Sequence, residues 1–177
     1  MADFSVRIPA TPGRLNILET NCVEKKNLPP IKDFLFKPKT TDLKNYSPEN
    51  ICLRLREFPD KLSSLTEIST IKTEIGYSDF KKNLGIGKTS ELINKAKQKD
   101  FEKWGELDTS STEYKIQIDN ENITVLLQEI NPVGKFLKVE APSQEALKKA
   151  VLFLSATRKD IISQNAAFLL AKKMGLI

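Results

Sequence analysis

The segment Leu127-Gln128-Glu129-Ile130-Asn131-Pro132-Val133-Gly134-Lys135-Phe136-Leu137-Lys138-Val139-Glu140 decides the fold. It reads as two strands around a glycine turn, and on the second of them Lys138 and Glu140 fall on the side away from Leu137 and Val139, because alternate side chains of a strand share a face. Leu53-Arg54-Leu55-Arg56 repeats the pattern, as does Thr70-Ile71-Lys72. Strands that turn apolar groups one way and charges the other predict a closed antiparallel barrel, a tunnel with charges inside and helices outside.

Working outward, residues 3 to 8 alternate apolar and polar and end at Pro9, which marks a short first strand. A brief helix is expected over 13 to 21, and Leu28-Pro29-Pro30 reads as a linker or strand edge. Strands are expected over 31 to 36, 50 to 58 and 66 to 74, the first two joined through a turn at Tyr46-Ser47-Pro48-Glu49-Asn50. Residues 78 to 84 and 90 to 103 read as helices with Ser78 and Ser90 (or Thr89) as caps. Between them Gly85-Ile86-Gly87-Lys88-Thr89 has the end of a phosphate-binding loop, but Lys82 stands where the first glycine belongs and no apolar strand leads in, so it reads as a helix break. Asp119-Asn120-Glu121-Asn122 is a hairpin signal between strands 113 to 118 and 123 to 130. Ser143 should cap a helix, and a final one, about 160 to 174, is apolar enough to pack on the outside of the sheet.

At 177 residues, with 40% hydrophobic and 29% charged residues, the chain fits one folded domain over 1 to 177, tunnel strands to about 140 and helices from 143 to 174. Histidine is absent, which removes imidazole-based nucleophile activation and zinc sites built on imidazole. Cys22 and Cys52 are too few for a disulfide framework or a four-thiolate zinc site, and Cys52 reads as a core residue. The net charge of +5 favours an anionic partner. No zinc-finger, RNP-type or helix-turn-helix pattern supports nucleic acid as that partner. Neither a membrane-length apolar run nor a signal-peptide pattern is found, so a cytoplasmic location is expected.

In this order and spacing the segments resemble the CYTH family, also called triphosphate tunnel metalloenzymes, which includes class IV adenylyl cyclases, thiamine triphosphatases and inorganic triphosphatases. Leu127, Ile130, Val133, Gly134, Phe136 and Glu140 keep register with the family's last tunnel strands, with Gln128 in place of an Asp and Lys138 in place of a Glu. Leu53-Arg54-Leu55-Arg56 is similar to the family's Leu-Arg-x-Arg strand, Thr70-Ile71-Lys72 to its Thr-x-Lys strand, and Asp33-Phe34-Leu35-Phe36 to the Asp-x-Tyr-Phe segment before them. Asp3-Phe4-Ser5-Val6-Arg7 stands where the family carries Glu-x-Glu-x-Lys, with Ser5 replacing one acid. Lys103-Trp104-Gly105 stands at Lys-x-Arg, and Asp79 is the nearest candidate for an acid between Lys72 and Lys103.

The resemblance implies an α+β fold with an eight-stranded antiparallel tunnel. It implies phosphate binding by Arg7, Arg54, Arg56, Lys72, Lys103 and Lys138, with Asp3 and Glu140 as ligands of magnesium or manganese. Those six cations against two acids leave an excess of four positive charges. The partner implied is a small polyphosphate or nucleoside triphosphate, bound and, with metal, hydrolysed at a phosphoanhydride. The replaced acids weaken the metal site, so the alternative is a non-catalytic phosphate sensor or interaction module; a small basic nucleic-acid-binding domain is the further alternative.

Overall fold

In a computed structural model, which describes residues 4–42, 44 and 52–177, eight strands close into an antiparallel barrel. Chain order is β1 (Phe4–Pro9), α1 (Pro12–Asn21), β2 (Glu24–Pro38), β3 (Cys52–Phe58), β4 (Lys61–Lys72), β5 (Tyr77–Gly87), α2 (Thr89–Gln98), β6 (Phe101–Ile118), β7 (Glu121–Asn131), β8 (Gly134–Ala141), α3 (Gln144–Phe153), a 3-10 turn at Arg158–Asp160, and α4 (Ala166–Lys173). Around the barrel the order is β1-β5-β4-β3-β2-β6-β7-β8, and β8 pairs back onto β1 from Phe4↔Ala141 to Pro9↔Phe136. The turn expected at residues 46 to 50 lies outside the described residues, as does Asp3. No helix of the described residues is long and apolar enough to cross a membrane.

The alternation read from the sequence holds where it was clearest. Leu53 and Leu55 are fully buried on the outer face of β3, under Leu92 and Ala96 of α2, while Arg54 and Arg56 turn inward. Val6, Ile8, Leu137 and Val139 on β1 and β8 are likewise buried outward, against Leu18 of α1 and Leu147, Ala150 and Val151 of α3. Burying each such side chain contributes about 1.5–3 kcal/mol, so these two clusters carry much of the fold. Ser143 caps α3 by accepting from the Ala146 N–H at 3.1 Å, as expected. The β6–β7 hairpin turns at Asp119 and Asn120, both with positive φ (50° and 65°), the conformation a two-residue hairpin turn needs.

Three expectations are corrected. Residues 78 to 84 are not helical: they belong to β5, which pairs with β4 from Ser63↔Gly87 to Lys72↔Tyr77. Lys81 on this strand lines the charged cavity while itself exposed, and Lys82 points to solvent on the other face, so both faces are polar and the period-2 signal is lost. Helix 90 to 103 stops at Gln98, and Phe101 already starts β6 after a turn at Asp100 (φ 61°). The Gly85-Gly87 break is therefore the end of a strand running into α2. Neither Thr89 nor Ser90 is its cap: Lys88 is, with no side-chain cap bond, and the Thr89 hydroxyl donates to Glu57 at 3.0 Å. Leu28-Pro29-Pro30 lies within β2, at a register shift between Leu28 and Ile31 where prolines cost no ladder bond.

The third correction concerns the C-terminus. The segment expected to be one helix on the outside is a 3-10 turn, an extended stretch and the short helix α4. Ile162 exchanges backbone hydrogen bonds with Arg7 (2.8 and 3.2 Å), which draws the chain along β1 at the barrel. Ala167, Leu170 and Ala171 of α4 then pack on Leu35, Cys52, Leu107 and Ile130, which are inward-facing residues. The helix thus forms an end wall of the barrel interior. Gly105 makes this approach possible, since a Cβ there would lie 2.7 Å from Leu170 Cδ2.

Gly105→Ala is expected to lower the unfolding free energy by about 1–3 kcal/mol, the usual cost of overpacking a filled core, measured by urea denaturation. Unchanged stability would mean that α4 does not depend on this close approach.

Candidate functional site: a charged lumen

Inward positions from all eight strands and the first turn of α4 line a cavity of about 280 Å³. Arg7 comes from β1, Asp33 from β2, Arg54 and Arg56 from β3, Asp79 and Lys81 from β5, Gln128 from β7, Lys138 and Glu140 from β8, and Asn165, Ala166 and Ala167 from the start of α4. Five cations face three carboxylates among these residues, a formal excess of two positive charges. Charges in a closed space must be matched by one another or by a ligand, because an isolated one is costly to bury.

Part of the matching is internal. Arg56 makes a two-pronged contact with Asp33, Nε to Oδ1 and an Nη to Oδ2, each 2.7 Å, and Asp33 is only 5% exposed. Lys138 donates to Glu140, and Thr70 donates to Asp79 at 2.6 Å while accepting from Asn165 Nδ2 at 2.9 Å. Arg7, 5% exposed, donates to the Tyr77 hydroxyl and to the Gln164 carbonyl at 3.1 Å, and its guanidinium lies 5.4 Å from the Tyr77 ring centre.

Part is not. Among the described residues the buried Nε atoms of Arg7 and Arg54 and the buried Oε1 of Gln128 have no hydrogen-bond partner. Burial lowers the Arg54 pKa, and neighbouring Arg56 pushes the same way against Asp33 and Asp79. Lys81 is lowered too, first by burial and then by Lys138 and Arg54. Burial raises the Glu140 carboxyl, but Lys138, Lys81 and Arg7 together outweigh it and hold it below its usual value. Desolvation pushes the Cys52 thiol up to about 12, in keeping with its reading as a core residue.

The structure brings together Arg7, Arg54, Arg56, Lys138 and Glu140 of the expected set. Lys72 keeps the inward parity of β4 but falls at the strand's last residue, is exposed, and does not line the cavity. Lys103 is on the outside: Leu35 pairs with Gly105 but Phe36 pairs with Lys103, so a bulge at Trp104 reverses the facing. Its ammonium contacts Glu106 and sits 5.2 Å from the Phe34 ring centre. Asp33, Lys81 and Asn165 were not foreseen in the lumen. Asp33 had a signal, since it shares a face with Leu35, alternates with Phe34 and Phe36, and pairs with Arg56; Lys81 was hidden by the helical reading.

The lumen carboxylates do not fit a divalent metal. Asp33 and Glu140 are each held by a cation and Asp79 by a hydroxyl, and no group of three potential metal-ligating side chains occurs among the described residues. A wider depression of about 540 Å³ includes Glu57, Asp108 and Glu129 against Lys32 alone, the wrong balance for an anion.

The fold has relatives among solved structures. The PH1819 protein from Pyrococcus horikoshii OT3 superposes with a TM-score of 0.72 at 15% identity, covering 97% of this chain and 99% of that one. HpAC1 from Hippeastrum, an adenylyl cyclase candidate that reveals a dominant triphosphatase activity, gives 0.61 at 11% identity, with 99% and 96% covered. A chain of the Schizosaccharomyces pombe Mediator head module gives 0.52 at 16%, with 88% and 92% covered. No protein-family model matches this chain, and no curated protein does. Structure and motif order thus agree on the CYTH fold.

The Glu140 carboxyl, depressed in the folded state, stabilises the fold at pH values above its unfolded pKa, and that contribution is lost as pH falls through the folded value. Urea midpoints measured from pH 6 down to pH 3 should therefore fall more steeply for the wild type than for Glu140→Gln. Parallel profiles would show that the Lys138 contact contributes nothing net.

Proposed function

We propose that the lumen binds a short run of phosphoryl groups, inorganic tripolyphosphate or the triphosphate end of a nucleotide, without needing a divalent ion. The observation that carries this reading is Arg54, a lumen guanidinium whose buried Nε has no hydrogen-bond partner among the described residues, in a cavity whose cations outnumber its acids. A planar guanidinium donates parallel hydrogen bonds to phosphate oxygens, and Lys81 and Lys138 add point charges beside it. The triphosphatase activity of HpAC1 supports a phosphate ligand by fold analogy.

Hydrolysis is proposed to be slow or absent. A carboxylate already held by a cation is a poor base and a poor metal ligand, which describes Asp33 and Glu140 here. That same observation favours a second reading, a phosphate-responsive interaction module rather than an enzyme, and the fold does occur in a chain of the Mediator head module.

Calorimetric titration of tripolyphosphate in EDTA is expected to show binding that weakens with added salt. Arg54→Ala should cost about 1.5–3 kcal/mol, the range for hydrogen bonds to charged groups. Affinity should also fall as pH rises through the Lys81 value, which burial holds below the usual lysine range, because deprotonation removes a lumen cation; Lys81→Met should flatten that segment. Binding seen only with magnesium would overturn the reading, and efficient phosphate release abolished by Glu140→Gln would restore a metal-dependent hydrolase.

A further inference from the structure

We infer that the first turn of α4, with Arg7 beside it, is itself an anion-binding subsite that receives the innermost phosphoryl group at the end wall of the lumen. The inference rests on the lumen being a phosphate site, and adds a donor set that no strand supplies.

The first N–H groups of a helix have no intrahelical acceptor, and the helix dipole places partial positive charge at that end. In α4 the cap Asn165 takes up one of them: its Oδ1 accepts from Phe168 N–H at 2.9 Å. Ala166 and Ala167, at the first two helical positions, line the cavity and carry only methyl side chains, so an oxygen can come close to their backbone N–H groups. A helix N-terminus lined in this way suits phosphate.

Independent support comes from Arg7. It is 5% exposed, lines the same cavity, and its Nε has no partner among the described residues. Its Nη1 donates to the carbonyl of Gln164, the residue before the cap, which fixes the guanidinium next to the start of α4. The orientation of the helix is set from β4 and β6, where Asn165 Nδ2 donates to Thr70 at 2.9 Å and Leu170 seats against Gly105. Asp79 is the nearest carboxylate along that chain of bonds, and the Thr70 hydroxyl occupies it. An anion here would meet two backbone donors and a buried guanidinium.

The test is Ala166→Pro. Proline is tolerated at the first helical position, and Asn165 (φ −75°, ψ 169°) already has the extended backbone that must precede it, so the helix is kept while one donor is removed. Circular dichroism and melting of the unliganded variant should match the wild type, and tripolyphosphate affinity in EDTA should fall about tenfold, with orthophosphate affected in the same direction. Asn165→Asp remains a good cap but adds a negative charge and gives up the Nδ2 donation to Thr70, so it should weaken binding with some loss of melting temperature. As a readout needing no substitution, the amide protons of Ala166 and Ala167 should move downfield when wild type is titrated with tripolyphosphate. Wild-type binding with unmoved Ala166 and Ala167 amides and unchanged affinity in both variants would overturn the subsite and leave the lumen reading standing. Absence of wild-type binding would overturn the lumen reading first.

Discussion

Closing a sheet into a barrel leaves its inward side chains with only one another, or a ligand, for company. The rest of the structure follows from how the inward charges are settled within that constraint. Arg56 is answered by Asp33 through two bonds of 2.7 Å, and Lys138 by Glu140. Arg54 is left over, and with Arg7 and Lys81 it gives the cavity its positive excess. A charge set of this kind adds little to folding stability, because desolvation consumes most of the pairing energy. The stability comes from the other side of the same strands, where Leu53, Leu55, Val6, Ile8, Leu137 and Val139 lie buried beneath helices.

The barrel was legible wherever a strand had one apolar and one charged face. Leu53 to Arg56 and Leu137 to Glu140 state both the element and its orientation, and the hairpin at Asp119 and Asn120 is a local signal that needs no tertiary information. What escaped has physical reasons. On β5 the charged lumen erased the apolar face, so a strand with Lys81 inside and Lys82 outside carried no period-2 pattern. Lys103 was read at the end of a helix and expected in the lumen; it stands on β6 facing outward, because one extra residue at Trp104 reverses the facing and nothing local announces it. The apolar stripe of α4 revealed that the helix packs, not which side of the sheet receives it; that was decided by Gly105 and by the backbone pairing of Ile162 with Arg7.

The position of α4 alters the character of the site. An open tunnel with strands alone around it would offer side-chain cations to a ligand along its length. Here Asn165, Ala166 and Ala167 stand across the interior, tied to Thr70 on one wall and, through Gln164, to Arg7 on another. Helix and cations therefore converge on one region of a cavity of about 280 Å³. The acids near that region are engaged, and the charge a metal would bring is in part already present as Lys81 and Lys138. A basic lumen with occupied carboxylates is the ground for the proposal that a phosphate chain is retained here rather than cleaved.

The most direct test of this account is a crystal structure of the protein with tripolyphosphate, grown in EDTA. Phosphoryl groups should lie inside the barrel, with Arg54 donating to their oxygens and the Arg56–Asp33 and Lys138–Glu140 contacts intact. A lumen without phosphate at saturating ligand, or phosphate that enters only with a magnesium ion held by Glu140, would contradict it.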